Sequence, residues 1–393
     1  AVARSARPMP PRRAASPSRS PGRRAPSPSR APATVRPKAA STAAALPGRS
    51  RDHPYVFGVP WWLDDPDPSE RTSDWATGQA RYAGIMLGYA ALALLGLRYF
   101  PPAWTTSPAD IAASDLLSPA WLCGFRAAAA LLVLLLVLQL VLGPAKTQSE
   151  SRLDGSEIFL RIGGCWRLGG LTQCGWILVG CYFSLSSWLT RAVWLDPAAP
   201  AHEHPSRLSC AASSLLGVAF GFSLLITTVV TFVLVPLDHA AGHSLDGYFR
   251  RDELILHNAN VALMTLDVLV NALSVDFGDA AFVVLFGCAY LLWHQFIRYR
   301  LTRTLIYPFL SWQSPHAFKI ASALVGGLAL YFVLGGLVTE YVRPQPWGPP
   351  AVLLASCAIM RFRPPAGVVL AQGDPFPPAS RVTPGGGKNK AKA

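Results

Sequence analysis

Charge is scarce in this chain. Only 15% of its 393 residues are Asp, Glu, Lys or Arg, and 51% are hydrophobic. Mean hydropathy is positive. That balance excludes an ordinary soluble globule and suits a polytopic membrane protein. Acids are missing altogether from residues 1–51, which hold twelve Lys/Arg and so carry +12 of the net +13. The rest is nearly neutral, which excludes a basic fold built for nucleic acid. C-x-x-C is absent and the cysteine count of 7 is odd. Most cysteines lie inside apolar runs, so neither a disulfide framework nor a zinc site is expected, and small buried apolar residues are the reading. No secretory apolar region opens the chain. It begins on Ala1 rather than Met, and upstream sequence is expected.

What residues 1–51 do contain is Arg, Pro, Ser and Ala, with almost no large apolar side chain to bury. Such a segment is expected to be disordered. Its lack of acids favours a plastid or mitochondrial transit segment. Its repeated Ser-Pro suits a phosphorylatable tail, and an arginine-serine RNA-binding segment is the third reading. The expected organisation is a disordered tail and linker over 1–80, a transmembrane helical bundle over 81–345, and an interfacial segment with a basic tail over 346–393. The expected membrane is an endomembrane or a plastid membrane.

Seven apolar stretches make up the body: 82–98, 121–143, 168–190, 208–237, 254–275, 280–297 and 320–339. A spanning helix needs about 20 residues, which predicts an all-α bundle of six or seven spans. The short run AVLLASCAIM (351–360) reads as interfacial. Segment 304–318 is apolar but broken by prolines, and Tyr307 and Trp312 suit the headgroup layer. Lys and Arg gather in loops 144–167, 238–253 and 298–319, and 99–120 has none. That alternation predicts an N-terminus on the cytoplasmic-type side. Ser213, Gly217 and Gly221, and Ser322 with Gly326, are spaced for close helix approach.

One apolar run is interrupted. In ELILHNANVALMTLDVLVNAL (253–273), His257, Asn260, Met264, Asp267 and Asn271 fall on a single helical stripe. Lipid would penalise Asp267 by roughly 2.5–3.5 kcal/mol, so the stripe faces the bundle interior or a wet cavity. Asn260 and Asn271 read as polar contacts between helices. His257 and Asp267 read as functional. Thr172, near the start of the third stretch, shares the depth and side of His257, as a nucleophile and its base require.

The stretches 168–190, 254–275 and 280–312 resemble the androgen-induced family of multi-pass membrane hydrolases. The closest local similarity is GCAYLLWHQFIRYRLTRTLIYPFLSW, which includes Tyr307, Pro308, Phe309 and Leu310. In the family a histidine precedes an acid by ten positions, as His257 precedes Asp267. A threonine is followed ten and eleven positions later by two aromatics, as Thr172 is by Tyr182 and Phe183. The resemblance covers about residues 120–340. His257 is followed by Asn258 and Ala259 where the family has Thr-Thr, Ala262 stands where it has proline, and Asp267 replaces Glu.

The resemblance implies a lipid-ester hydrolase that cleaves fatty acid esters of hydroxy fatty acids. Thr172 would be the nucleophile and His257 the base, with no cofactor or metal. Its partners would be fatty acyl ester lipids and the bilayer. Asn258 and Asn260 are candidate oxyanion donors. His294 is a second catalytic candidate or a structural donor. Asp267, about 15 Å along the helix from His257, would line an acyl tunnel or anchor another helix. Two alternatives stand beside this: a non-enzymatic lipid carrier or scaffold, and a metal-dependent membrane lipid enzyme. The second would rest on His239 and His243 in DHAAGH. That box, and the pair His202 and His204, lie in loops and read as surface histidines. No inverted repeat supports a transporter.

Overall fold

The computed structural model describes residues 74–365, apart from 152, 154–156, 243 and 315. The segment 1–51 and the basic C-terminal tail lie outside the described residues. Helix α1 spans Asp74–Tyr99, the short α2 Pro108–Ala112, and α3 Pro119–Leu142. A hairpin follows, β1 Lys146–Ser151 with β2 Glu157–Ile162, paired antiparallel from Lys146–Ile162 to Ser151–Glu157. Next come α4 Leu171–Leu195, α5 Arg207–Val229, α6 Val235–Ala241, α7 Asp246–Phe249 and α8 Arg251–Val270. Helices α9 Ala280–Leu292, α10 Tyr299–Thr302, α11 Ala317–Leu337 and α12 Gly348–Ile359 complete the chain. Wide π turns extend α5, α9 and α11 at Val230–Leu234, Trp293–Arg298 and Val338–Val342.

Among the described residues, six helical segments are long and apolar enough to cross a membrane: Thr77–Tyr99, Pro119–Leu142, Pro200–Ala240, Arg251–Val270, Phe277–Thr302 and Ala317–Val342. Six of the seven expected stretches are accounted for in this way. The seventh is α4. Its 25 residues span about 37 Å at 1.5 Å each, enough to cross. Its composition is less apolar because it carries Thr172, Ser186 and Thr190 on buried positions.

The helices sort by which faces see lipid. On α3, Leu122, Cys123, Arg126, Ala129 and Val133 are buried in one stripe, and Leu131, Leu134, Leu135 and Leu138 are exposed. An exposed leucine row is costly in water and neutral against acyl chains. Helix α5 is the most enclosed and forms the bundle's centre. It lies close to α11 because a Cβ on Gly221 would come within 2.9 Å of the Phe332 backbone, and one on Gly217 within 2.6 Å of its ring. The expected close approach at Gly326 does not occur, since Gly326 borders open space. Gly327 meets Leu225 instead, and Ser322 accepts a hydrogen bond from Tyr89.

Three further segments pack onto the bundle. Loop 144–167 contains the hairpin, which straps one end of the bundle. Lys146 bonds Asp252 at the start of α8, and Ser151 bridges Leu305 beyond α9. Segment 304–318 folds back into the bundle end: Trp312 is buried against Tyr299, and the Tyr307 hydroxyl accepts from Leu171 N (3.1 Å). Helix α12 runs along α8, with Thr265 bonded to Ser356 (2.8 Å) and Asn258 to Arg361.

Candidate functional site

Helices α4 and α8 meet at their first turns. The Trp176 indole Nε1 donates to the Leu256 carbonyl (2.9 Å) and joins the two helices there. Thr172 lies one turn before Trp176 on the same face of α4, and His257 directly follows Leu256. One bond therefore carries both expected residues to the same end of the bundle. Thr172 is buried and His257 is 16% exposed. Among the described residues no hydrogen bond joins them.

His257 has a carboxylate neighbour. Its Nε2 lies 3.5 Å from Glu253 Oε2, one turn earlier on α8. Its Nδ1 is buried without a hydrogen-bond partner. Sequence reasoning passed over Glu253 in favour of Asp267, although the i, i+4 spacing in ELILH was the available signal. Glu253 also sits in the first turn of α8, where the helix dipole favours an anion.

The two candidate oxyanion donors separate. Asn258 is occupied: its Nδ2 donates to the Leu254 and Arg361 carbonyls, and its Oδ1 accepts from Arg361 N. It pins the segment after α12. Asn260 is fully buried, its Oδ1 accepts from Val261 N (2.8 Å), and its Nδ2 has no acceptor. The bond from Val261 N–H assigns the amide orientation, so the free group is the donor. Thr227 on α5 donates to the His257 carbonyl (2.6 Å) and fixes this stretch of α8 from the other side.

Asp267 anchors other helices. Arg126 Nε donates to its Oδ1 at 2.9 Å, and both side chains are fully buried. The Tyr182 hydroxyl and Asn271 Nδ2 donate to its Oδ2. Arg126 also donates to the Ile111 carbonyl (2.6 Å) and to Thr190 (2.9 Å). Both charges are thus fully hydrogen-bonded, which a buried pair requires. The network ties α3 and α4 to the far end of α8. It absorbs Asp267, Asn271 and the aromatic Tyr182. The lone arginine within the apolar run 121–143 was the sequence signal for it, and the reading from sequence missed it.

His294 packs on Tyr307, whose hydroxyl accepts from Leu171 N beside Thr172. It is fully buried, its Nε2 accepts from Ile306 N (3.3 Å), and its ring stacks on Tyr307 and lies against Tyr290. Tyr290 lines an apolar cavity of about 320 Å³ together with Cys174. Cys174 lies two residues beyond Thr172, on nearly the opposite face of α4. His294 helps hold the return loop, where burial pushes the Tyr307 hydroxyl up to about 12.

Second to the Arg126–Asp267 pair is Glu150–Arg298 (2.5 Å), with Thr304 also on Glu150. Both partners are buried, and the pair seats the hairpin on the end of α9. Among the described residues no three His, Cys, Asp or Glu side chains converge on a metal site. His239 is exposed, and His243 lies outside the described residues.

The class these features define is an integral, multi-pass membrane helical bundle. Compared with family models, curated proteins and solved structures, the chain matches none.

Proposed function

We propose that the chain is an intramembrane lipid-ester hydrolase with Thr172 as nucleophile and His257 as general base. The observation that supports this best is the Trp176–Leu256 bond, which sets Thr172 and His257 at one end of two packed helices. His257 Nδ1 takes the Thr172 proton while the hydroxyl oxygen attacks the ester carbonyl. Glu253 balances the imidazolium that forms, the role a carboxylate plays beside a catalytic histidine. The tetrahedral oxyanion accepts from Asn260 Nδ2. The ester C–O bond then breaks, the imidazolium returns the proton to the leaving alcohol, and acyl-Thr172 remains. Water, deprotonated by His257, cleaves that ester and restores the enzyme. General-base help of this kind contributes about 10²–10⁴-fold.

The substrate class is a fatty acyl ester drawn from the bilayer, and the resemblance to hydrolases of hydroxy fatty acid esters points to those lipids. The acid-free, Arg-rich segment 1–51 is transit-like and favours a plastid membrane, with an endomembrane as the alternative, to be checked with a carboxyl-terminal fluorescent fusion.

The test is label transfer from a fluorophosphonate probe to purified protein. Wild type is expected to label, and folded Thr172→Ala and His257→Ala variants are not. Labelling that survives Thr172→Ala moves the nucleophile elsewhere. No labelling of wild type favours a lipid carrier, and chelator-sensitive ester hydrolysis favours a metal enzyme.

A further inference from the structure

The end of the bundle opposite Thr172 and His257 holds a second pocket, of about 400 Å³. Four elements build it: the link between α1 and α2, the start of α5, the link between α8 and α9, and the end of α11. Its volume lies within the usual range for small-ligand sites. Three carboxylates line it, Asp276, Asp279 and Glu340, and no Lys or Arg does.

The three acids differ in what they already do. Asp276 is committed to the fold: its Oδ1 accepts from Gly278 N and its Oδ2 from Ala103 N, which closes the pocket floor. Glu340 is exposed at the rim. Asp279 is 2% exposed, and its Oδ1 has no hydrogen-bond partner. A buried carboxylate oxygen without a donor is costly unless a cation or donor comes to it. The rest of the wall mixes three aromatics, Trp104, Phe277 and Tyr341, with the hydroxyl side chains of Thr105, Thr106, Ser213, Ser214 and Ser274. Trp104 holds a positive φ of 47°, a conformation that bulky residues rarely keep and that clusters at ligand sites.

We propose that this pocket binds an organic ammonium group, with Asp279 as its counter-ion and Trp104 among the faces that receive it. The carboxylates do not converge as metal ligands, which weighs against a compact ion coordinated by several oxygens. Dispersed negative charge beside aromatic faces suits a large, weakly hydrated cation. The ammonium group can come from a lipid headgroup or from a free amine. The proposal is independent of the Thr172 chemistry.

The experiment measures the thermal unfolding midpoint of the full chain in detergent, titrated with choline chloride against sodium chloride at matched ionic strength. Choline is expected to raise the midpoint saturably. Asp279→Asn is expected to weaken the response at least about tenfold, and Glu340→Gln, at the exposed rim, to weaken it less. Thr172→Ala is expected to keep it. Should Asp279→Asn not fold, radiolabelled choline binding to wild type and Glu340→Gln decides: saturable binding weakened by Glu340→Gln supports the site, and its absence overturns it. Equal responses to choline and sodium, a larger response to calcium, or a full response in Asp279→Asn would each overturn it as well. Nanodiscs then separate the sources. For a lipid headgroup, added choline shifts the midpoint in phosphatidylglycerol discs but little in phosphatidylcholine discs. For a free amine it shifts both alike.

Discussion

Arg126 on α3 and Asp267 on α8 meet at 2.9 Å with neither side chain exposed. Removing one partner strands the other charge in a medium that cannot solvate it. Arg126→Met and Asp267→Leu are each expected to cost about 3–5 kcal/mol, and the double substitution to cost less than either. Denaturation in detergent, read as a double-mutant cycle, checks this. A double variant as unstable as the sum of the singles would refute the coupling.

A different outcome is expected at Glu253, which is only partly buried and 3.5 Å from His257. Glu253→Gln should leave the unfolding midpoint nearly unchanged and slow fluorophosphonate labelling at least about tenfold, because a carboxylate that orients and balances a catalytic imidazole carries a large share of its effect. Labelling at the wild-type rate would reduce Glu253 to a helix-surface ion pair.

These two carboxylates show where the sequence was legible and where it was not. The helical spans were plain, because runs near 20 apolar residues have few other uses. The inward face of α8 was plain too: Asn260, Met264 and Asp267 on the stripe are all fully buried. What periodicity could not supply was the partner of each polar residue. Asp267 pairs with an arginine 141 positions away, and no local pattern encodes that distance. Glu253 was within reach at i−4, on the same face as His257, but the stripe was read only from His257 onward. The hairpin was missed because KTQSES reads as a polar loop, and only its pairing with EIFLRI makes it a strand. Tyr307 and Trp312 suit the headgroup layer by their amphipathicity, but sequence does not show the chain folding back so that Trp312 packs on Tyr299 and Tyr307 bonds Leu171.

Tyr307 offers a test of that return loop. Burial raises its hydroxyl from 10.0 to about 12. The folded chain therefore holds this proton more tightly than the unfolded chain. The stability it contributes is complete below pH 10 and is lost as pH rises from about 10 to about 12. The unfolding midpoint of wild type should fall more steeply across that window than that of Tyr307→Phe. At pH 7 the phenylalanine variant should be about 1 kcal/mol less stable, since Leu171 N loses its acceptor. Parallel pH curves for the two proteins would show that Tyr307 is not buried in this way.

Asn258 and Asn260 sit two residues apart and should fail in opposite ways. Asn258 exchanges three hydrogen bonds with Leu254 and Arg361, so Asn258→Leu should loosen the segment after α12 and lower stability by about 1–3 kcal/mol. Turnover per folded molecule should be nearly unaffected. Asn260 keeps a buried donor unpaired, and Asn260→Leu removes that donor with a side chain of similar volume. Its stability should fall by no more than about 1 kcal/mol, from the lost bond to Val261 N, while ester turnover should fall about 10²–10³-fold if the amide meets the oxyanion. The KM should move less than kcat, because the bond strengthens only as charge develops on the carbonyl oxygen. An Asn260→Leu protein that is destabilised yet fully active would make Asn260 a packing residue and leave the oxyanion without a side-chain donor on α8.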